Sequence, residues 1–315
     1  MRTSCMTNSQ SARALLMVRP VSFGFNKETA ESNTFQHTLQ LSAEELRKKA
    51  CDEFDTSVEL IRSRNIDVAI LEDGPAPAKP DAVFPNNWLS TWPNGTVYLY
   101  PMATESRRVE RSESALRLLR DKWNVTNIQD ISATETQEKY LESTGVMIFD
   151  HINKLVYGCL SVRCNEVLFK EHARTLGYEP IVFNSFDEAS VPIYHTNVVM
   201  GIQTSTAVIC LASIRDEQER MFVEKRLADT GHEVIDISYG QMRSFCGNVL
   251  EVQNANGEKL IILSQTAYDA FSEDQRYRLS KGATLLPISI PTIETIGGGS
   301  ARCMLAEIFL PKNCR

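Results

Sequence analysis

The sequence predicts an α/β protein, a ring or propeller of five ββαβ modules built around one central site. Three observations point there. An amphipathic segment of helical period, then a break, then a short apolar strand recurs five times. The strands return at intervals of roughly 50 to 60 residues. Further short β-like runs fill the spaces between these units. A unit of this kind buries its sheet and helix faces only against neighbouring units, which favours closure into a ring. An open α/β sheet would fit the same pattern and remains the alternative at this point.

The first helix begins near Ser42, where Ser42 and Glu45 have capping-box spacing. It runs through Leu46, Phe54, Val58 and Ile61, breaks at Arg64-Asn65 and leads into the strand Ile66 to Ile70. Gly74 to Asp81, with three prolines, is a loop. The second helix spans about Ser106 to Trp123 and precedes a strand from Val125 to Ile131. The third, about Asn165 to Leu176, stops at Gly177 before Pro180 to Phe183. The fourth runs from Asp216 to Thr230, breaks at Gly231 and leads to Val234 to Ile237; the fifth, Ser272 to Lys281, breaks at Gly282 before Leu285 to Ile290. Between them, Thr96 to Tyr100, Val146 to Phe149, Thr196 to Met200, Ala207 to Leu211, Val249 to Val252, Leu260 to Leu263 and Met304 to Phe309 read as strands. No stretch is rich enough in Gly, Ser or Pro to divide the chain, so residues 14–315 are expected to form a single catalytic domain behind a flexible tail, Met1 to Arg13.

The 315 residues are 43% hydrophobic and 23% charged, enough apolar content for a large core. The net charge of −7 comes from 33 basic and 40 acidic residues spread along the chain, which leaves no basic stripe for nucleic acid. The longest apolar runs fall far short of the roughly 20 residues of a membrane span. The chain is accordingly placed in the cytoplasm, with neither nucleic acid nor membrane as partner; whether it is a monomer or a homo-oligomer stays open. Eight cysteines are scattered without a CxxC pair, as suits reduced thiols, and no ligand spacing suggests a metal or other cofactor. Cys51, Cys159, Cys210 and Cys246 sit among apolar neighbours and read as small core residues.

Cys303 differs. It follows Gly297-Gly298-Gly299, whose backbone freedom permits a close approach to a ligand, and adjoins Arg302, whose charge favours the nucleophilic thiolate. A turn followed by a buried cysteine would give the same residues. Of five histidines, His195 opens an apolar run, where a side chain of near-neutral pKa can pass protons into a cavity. Glu142 precedes Ser143-Thr144-Gly145 at another strand mouth, and Asn86 and Asn87 lie in Phe84-Pro85-Asn86-Asn87-Trp88 at a third.

Together these segments resemble the guanidino-group-modifying, or pentein, superfamily, over about Leu16 to Pro311. The resemblance implies the pentein α/β-propeller with pseudo-fivefold symmetry. Gly297-Gly298-Gly299 followed by Arg302-Cys303-Met304 is similar to the family's nucleophile strand, Leu141 to Gly145 to its glutamate segment, and Tyr194-His195-Thr196-Asn197 to its His-x-Asp segment. It implies a catalytic set of Cys303 as nucleophile, His195 as proton carrier and Glu142 as the substrate-orienting acid, with no cofactor. Ser161-Val162-Arg163 matches an element that in relatives can hold a substrate carboxylate, a role open to Arg163, Arg302 or both. Asn87 and Asn197 stand where arginine-directed members carry Asp. A guanidinium offers only donors, whereas a ureido group has a carbonyl oxygen that needs one. The resemblance is therefore closest to the citrulline-utilising hydrolases and implies a small amino-acid substrate, with arginine deiminase, dimethylarginine dimethylaminohydrolase and amidinotransferase activities, or a non-enzymatic binding protein, as alternatives.

Overall fold

The computed structural model describes residues 9–72, 74 and 76–313. Within them the chain forms five three-stranded sheets: β15-β1-β2, β3-β4-β5, β6-β7-β8, β11-β10-β9 and β12-β13-β14. The strands are β1 (Ala14–Arg19), β2 (Asp67–Glu72), β3 (Leu89–Thr91), β4 (Thr96–Leu99), β5 (Asn127–Asp130), β6 (Ile148–Asp150), β7 (Leu155–Cys159), β8 (Glu179–Phe183), β9 (Met200–Ile202), β10 (Thr206–Ile209), β11 (Glu233–Asp236), β12 (Leu250–Gln253), β13 (Lys259–Ser264), β14 (Thr284–Ile288) and β15 (Ala306–Ile308). In every sheet the central strand pairs antiparallel on one side and parallel on the other. The parallel partner needs a long crossover, and each crossover carries a helix. Four sheets are contiguous in sequence. The remaining one joins the two ends of the fold, with Ala14 opposite Ile308 and Leu16 opposite Ala306.

The crossover helices form where the apolar spacing and caps placed them. Ala43–Ser63 starts with the Ser42–Glu45 capping box and buries Ala50, Phe54, Val58 and Ile61 along one face. Each of the larger side chains contributes roughly 1.5–3 kcal/mol on burial. Glu166–Thr175, Glu217–Asp229 and Glu273–Ser280 are capped by Asn165, Asp216 and Ser272. The second helix is shorter than its pattern: Ser112 caps a fresh start at Glu113–Lys122, and Glu105–Arg108 forms a separate turn because Arg107 is drawn into the interior by Glu110.

Two sequence expectations need correction. The tail does not extend to Arg13. Gln10 is buried, donating to the Phe149 carbonyl at 2.8 Å and accepting from His151 N at 2.8 Å, and Ala12 bridges to Val252. Polar side chains here satisfy main-chain groups at the joint between sheets; Met1 to Asn8 lie outside the described residues. The second correction concerns three expected strands. Val146, Thr196 and Met304 are not their first residues: each belongs to a tight helical turn, Ser143–Val146, Thr196–Val199 and Ala301–Met304, and the strand starts after it. A similar turn, Pro85–Asn87, precedes β3. Neighbouring inner strands touch, β15 against β3, β6 against β9 and β9 against β12. The turns are thereby gathered at one end. No helix among the described residues is long and apolar enough to cross a membrane.

Candidate active site

The gathered turns bring Cys303, His195, Glu142, Asn87 and Asn197 into one buried cluster, none more than 3% exposed. A narrow cavity opens onto it, lined by Cys303, His195, Asn87, Arg163, Asp81 and Arg107 among others. A larger groove, about 1030 Å³, lies on the far side of residues 34–37 and is floored by Phe35, Met242 and Phe245. It is lined by no cysteine, so size alone does not locate the chemistry.

His195 donates from Nε2 to Glu142 Oε2 at 2.7 Å. The other Glu142 oxygen accepts from Ala103 N at 3.1 Å, and Arg163 lies 3.5 Å from Oε2. Burial alone would raise the Glu142 carboxyl, but Arg163, the His195 hydrogen bond and Arg107 together draw it down to about 2. Burial pushes His195 down to about 4 against the pull of Glu142. Near neutral pH the pair is thus a carboxylate and a neutral imidazole, with Nε2 committed and Nδ1 left to exchange protons. Glu142 does not line the cavity; it sits behind His195 and fixes its tautomer.

Asn87 has its orientation set by chemistry. Arg107 Nη1, which can only donate, lies 2.8 Å from Asn87 Oδ1. Asn87 Nδ2 is therefore the face turned from Arg107, and it is buried with no protein partner. Gly145 makes room for it: a Cβ there would stand 2.4 Å from Asn87 Nδ2 and 3.1 Å from His195 Nδ1. Asn197 donates from Nδ2 to Cys303 Sγ at 3.4 Å, leaving its Oδ1 buried and unpartnered, and it does not line the cavity. Asn86 is fully buried with neither amide atom partnered, and it does not line the cavity.

At the other end of the cavity stand Arg163, expected from the sequence, and two groups that sequence reasoning missed, Asp81 and Arg107. Asp81 is 2% exposed; its Oδ2 accepts from Asn26 Nδ2 at 2.8 Å and Thr29 Oγ1 at 3.2 Å, while Oδ1 has no partner. Arg107 is clamped bidentately by Glu110 at 2.8 and 2.9 Å. Arg163 stacks on Tyr194, 4.9 Å from the ring centre, and bonds Ser32 Oγ at 2.8 Å, with Nε unpartnered. Residues 26–36 thus fold over the cavity and occupy its charged groups. The glycine triplet serves packing here: Cβ atoms at Gly297 and Gly299 would strike the Phe84 ring, and one at Gly298 would strike Asn33 and Gln36. Nothing in the pattern separates a buried Arg107 from the less buried arginines around it, but Asp81, closing the proline loop just before Asn86-Asn87, was a signal available to be read.

Arg302 is a correction. Its guanidinium does not face the cavity; it runs the other way, to the Leu305 carbonyl at 2.8 Å and Glu307 at 2.9 Å. Neighbouring residues in a tight turn project to opposite sides, so the same turn that presents Cys303 turns Arg302 to the rear. No group of three or more His, Cys, Asp or Glu side chains with metal-binding geometry occurs among the described residues.

The family model for N,N dimethylarginine dimethylhydrolase, eukaryotic, matches residues 19–310. Among solved structures, ArgZ, an arginine dihydrolase from the ornithine-ammonia cycle in cyanobacteria, superposes with a TM-score of 0.72 at 15% identity, over 93% of this chain and 40% of that one. The chain thus spans well under half of full-length ArgZ. The N-terminal domain of ArgZ bound to substrate superposes with a TM-score of 0.72 at 16% identity, over 94% and 99% of the two chains. A dimethylarginine dimethylaminohydrolase adduct with S-methyl-L-thiocitrulline gives 0.63 at 12% identity, over 94% and 99%. At these identities the structures show a shared fold. No curated protein matches the sequence.

Proposed function

The chain belongs to the eukaryotic N,N-dimethylarginine dimethylhydrolase family of pentein hydrolases, and from that premise we propose that it hydrolyses citrulline to ornithine, ammonia and carbon dioxide. The observation that carries the choice of substrate is Asn87, which offers the cavity a donor and not an acceptor because Arg107 holds its oxygen. A ureido oxygen accepts from that N–H; a guanidinium presents a second donor to it and leaves both unpaired. Asn197 stands behind the sulfur and holds it through Nδ2. Asp81 Oδ1 takes the α-ammonium group, and Arg163, freed from Ser32, takes the α-carboxylate.

Cys303 Sγ attacks the ureido carbon. The thiol proton passes to His195 Nδ1 as the C–S bond forms; the bond to the terminal nitrogen breaks, and that nitrogen takes the proton from Nδ1 and leaves as ammonia. His195 Nδ1 then takes a proton from water, which attacks the thiocarbamate; the C–S bond breaks, Cys303 takes the proton back from Nδ1, and the N-carbamate of ornithine loses carbon dioxide. Glu142 stabilises the imidazolium that forms in passing.

The second reading, hydrolysis of arginine or a methylated arginine, is favoured by the name of the matching family and by the free acceptor Asp81 Oδ1. Ornithine and ammonia release from citrulline, run beside turnover of arginine and dimethylarginine, separates the two. Citrulline turnover that disappears in Cys303→Ala is the expected result. Turnover confined to the guanidino substrates would refute the reading of Asn87.

A further inference from the structure

Four of the five sheets have so far each supplied a turn to the site: Pro85–Asn87, Ser143–Val146, Thr196–Val199 and Ala301–Met304. The fifth inner strand, β12, also begins just after a bend, and the residue there is Asn248. It is completely buried. A Cβ on the preceding Gly247 would meet the Val198 carbonyl oxygen at 2.4 Å, so this bend lies directly against the turn that carries His195 and Asn197.

The Asn248 amide can point only one way. Its Oδ1 accepts from Arg302 N at 2.9 Å, and its Nδ2 donates to the Asn197 carbonyl at 2.8 Å. Turning it over would set oxygen against oxygen and N–H against N–H, losing both bonds in a dry interior, where unpaired polar groups are costly. That fixed amide leaves a second N–H on Nδ2, and Cys303 Sγ lies 3.3 Å from the nitrogen. Asn197 Nδ2 is 3.4 Å from the same sulfur. Two neutral donors therefore converge on the thiol. Burial raises the Cys303 thiol, opposed by the Ser300 backbone, Asn248, the charge of Arg302 and Asn197; the guanidinium groups themselves are bonded elsewhere, Arg302 to Glu307, Arg163 to Glu142 and Ser32, Arg107 to Glu110. The neighbouring imidazole is held neutral.

We propose that Asn248 is a catalytic residue, whose side-chain N–H stabilises the Cys303 thiolate as it forms and aims it at the reacting carbon. The proposal rests on the reading of Cys303 as nucleophile and gives a reason for the extra donor. A guanidinium arriving beside the sulfur favours the thiolate by its charge, whereas a neutral ureido group brings none, so the protein must supply the stabilisation itself. The same N–H acts again at the second step, when the thiolate is expelled from the thiocarbamate.

The test is the pH dependence of iodoacetamide alkylation at the Cys303 peptide, followed by mass spectrometry without substrate, in wild type, Asn248→Ala and Asn248→Asp. Asn248→Asp keeps the acceptor for Arg302 N and replaces only the donor. The expected result is an alkylation pKa raised by about one unit or more in Asn248→Ala and further in Asn248→Asp, with kcat on citrulline reduced about 10- to 100-fold and KM within about threefold. Two folded variants with an unchanged alkylation profile would show that Asn248 only braces the turn, and the proposal would be overturned. Should both variants fail to fold, the wild-type protein labelled with ¹⁵N-asparagine decides: the Asn248 side-chain amide resonance must move as Cys303 ionises, and one indifferent to that titration also overturns it. Because alkylation needs no substrate, this outcome is independent of the citrulline assay, and retained turnover in Cys303→Ala would instead sink the reading of the nucleophile.

Discussion

Asn87 differs from aspartate by one atom, and on the proposed reading its neighbours make that atom decide which ligands are welcome. Arg107 pairs with Oδ1 in either case, so Asn87→Asp changes only what faces the cavity, from N–H to a carboxylate oxygen. The variant is expected to lose citrulline turnover by about 10²-fold in kcat/KM, since a site built to pair a polar group penalises its mismatch heavily. It should gain turnover of arginine, and parallel assays of ornithine and citrulline formation read both changes. A variant that still prefers citrulline would remove Asn87 from the account of specificity. His195 makes the complementary point: its Nε2 hydrogen bond to Glu142 leaves one ring nitrogen for chemistry, so Glu142→Gln should lower kcat by at least about tenfold while leaving KM nearly unchanged.

The four short turns explain both what the sequence revealed and what it hid. The long helices were legible because capping residues and apolar period agree, as at Ser42, Asn165, Asp216 and Ser272. The turns were not. Val146, Thr196 and Met304 are as buried as the strands they precede, and over four residues a buried turn and a buried strand have the same composition. For the same reason the residues of the site could be picked out but their directions could not: Cys303 faces the cavity and Arg302, one residue earlier, does not. Asn248 carried no motif at all; only the fivefold arrangement shows that its position corresponds to the others. The turn Ser143–Val146 offers a direct check. In Gly145→Ala the new methyl group would displace Asn87 and His195 together, so citrulline turnover should fall at least about tenfold while thermal denaturation shows a loss of only about 1–3 kcal/mol. Unaltered kinetics would mean that the two side chains do not need to meet there.

The assembled protein buries three histidines in neutral form. Burial lowers His151 to about 3, His172 to about 4 and His195 to about 4. Above the unfolded value of about 6.5 both states are neutral, and these groups have no effect on stability. Below it the unfolded chain takes up protons that the folded one refuses. Stability is therefore lost as pH falls from about 6.5 toward about 4, by up to about 1.4 kcal/mol per pH unit for each histidine. Calorimetry at pH 7, 6 and 5 should show Tm declining in that window, and a flat Tm would count against three neutral buried rings. The sheet that joins β15 to β1 has a further consequence, which concerns time. Glu142 and His195 come well before Cys303 in the chain, and β1 must wait through the four other sheets for β15 to supply its antiparallel neighbour. The nucleophile and the strand that closes the ring thus emerge together, after the rest of the fold. A chain halted before them lacks the thiol around which the site is built.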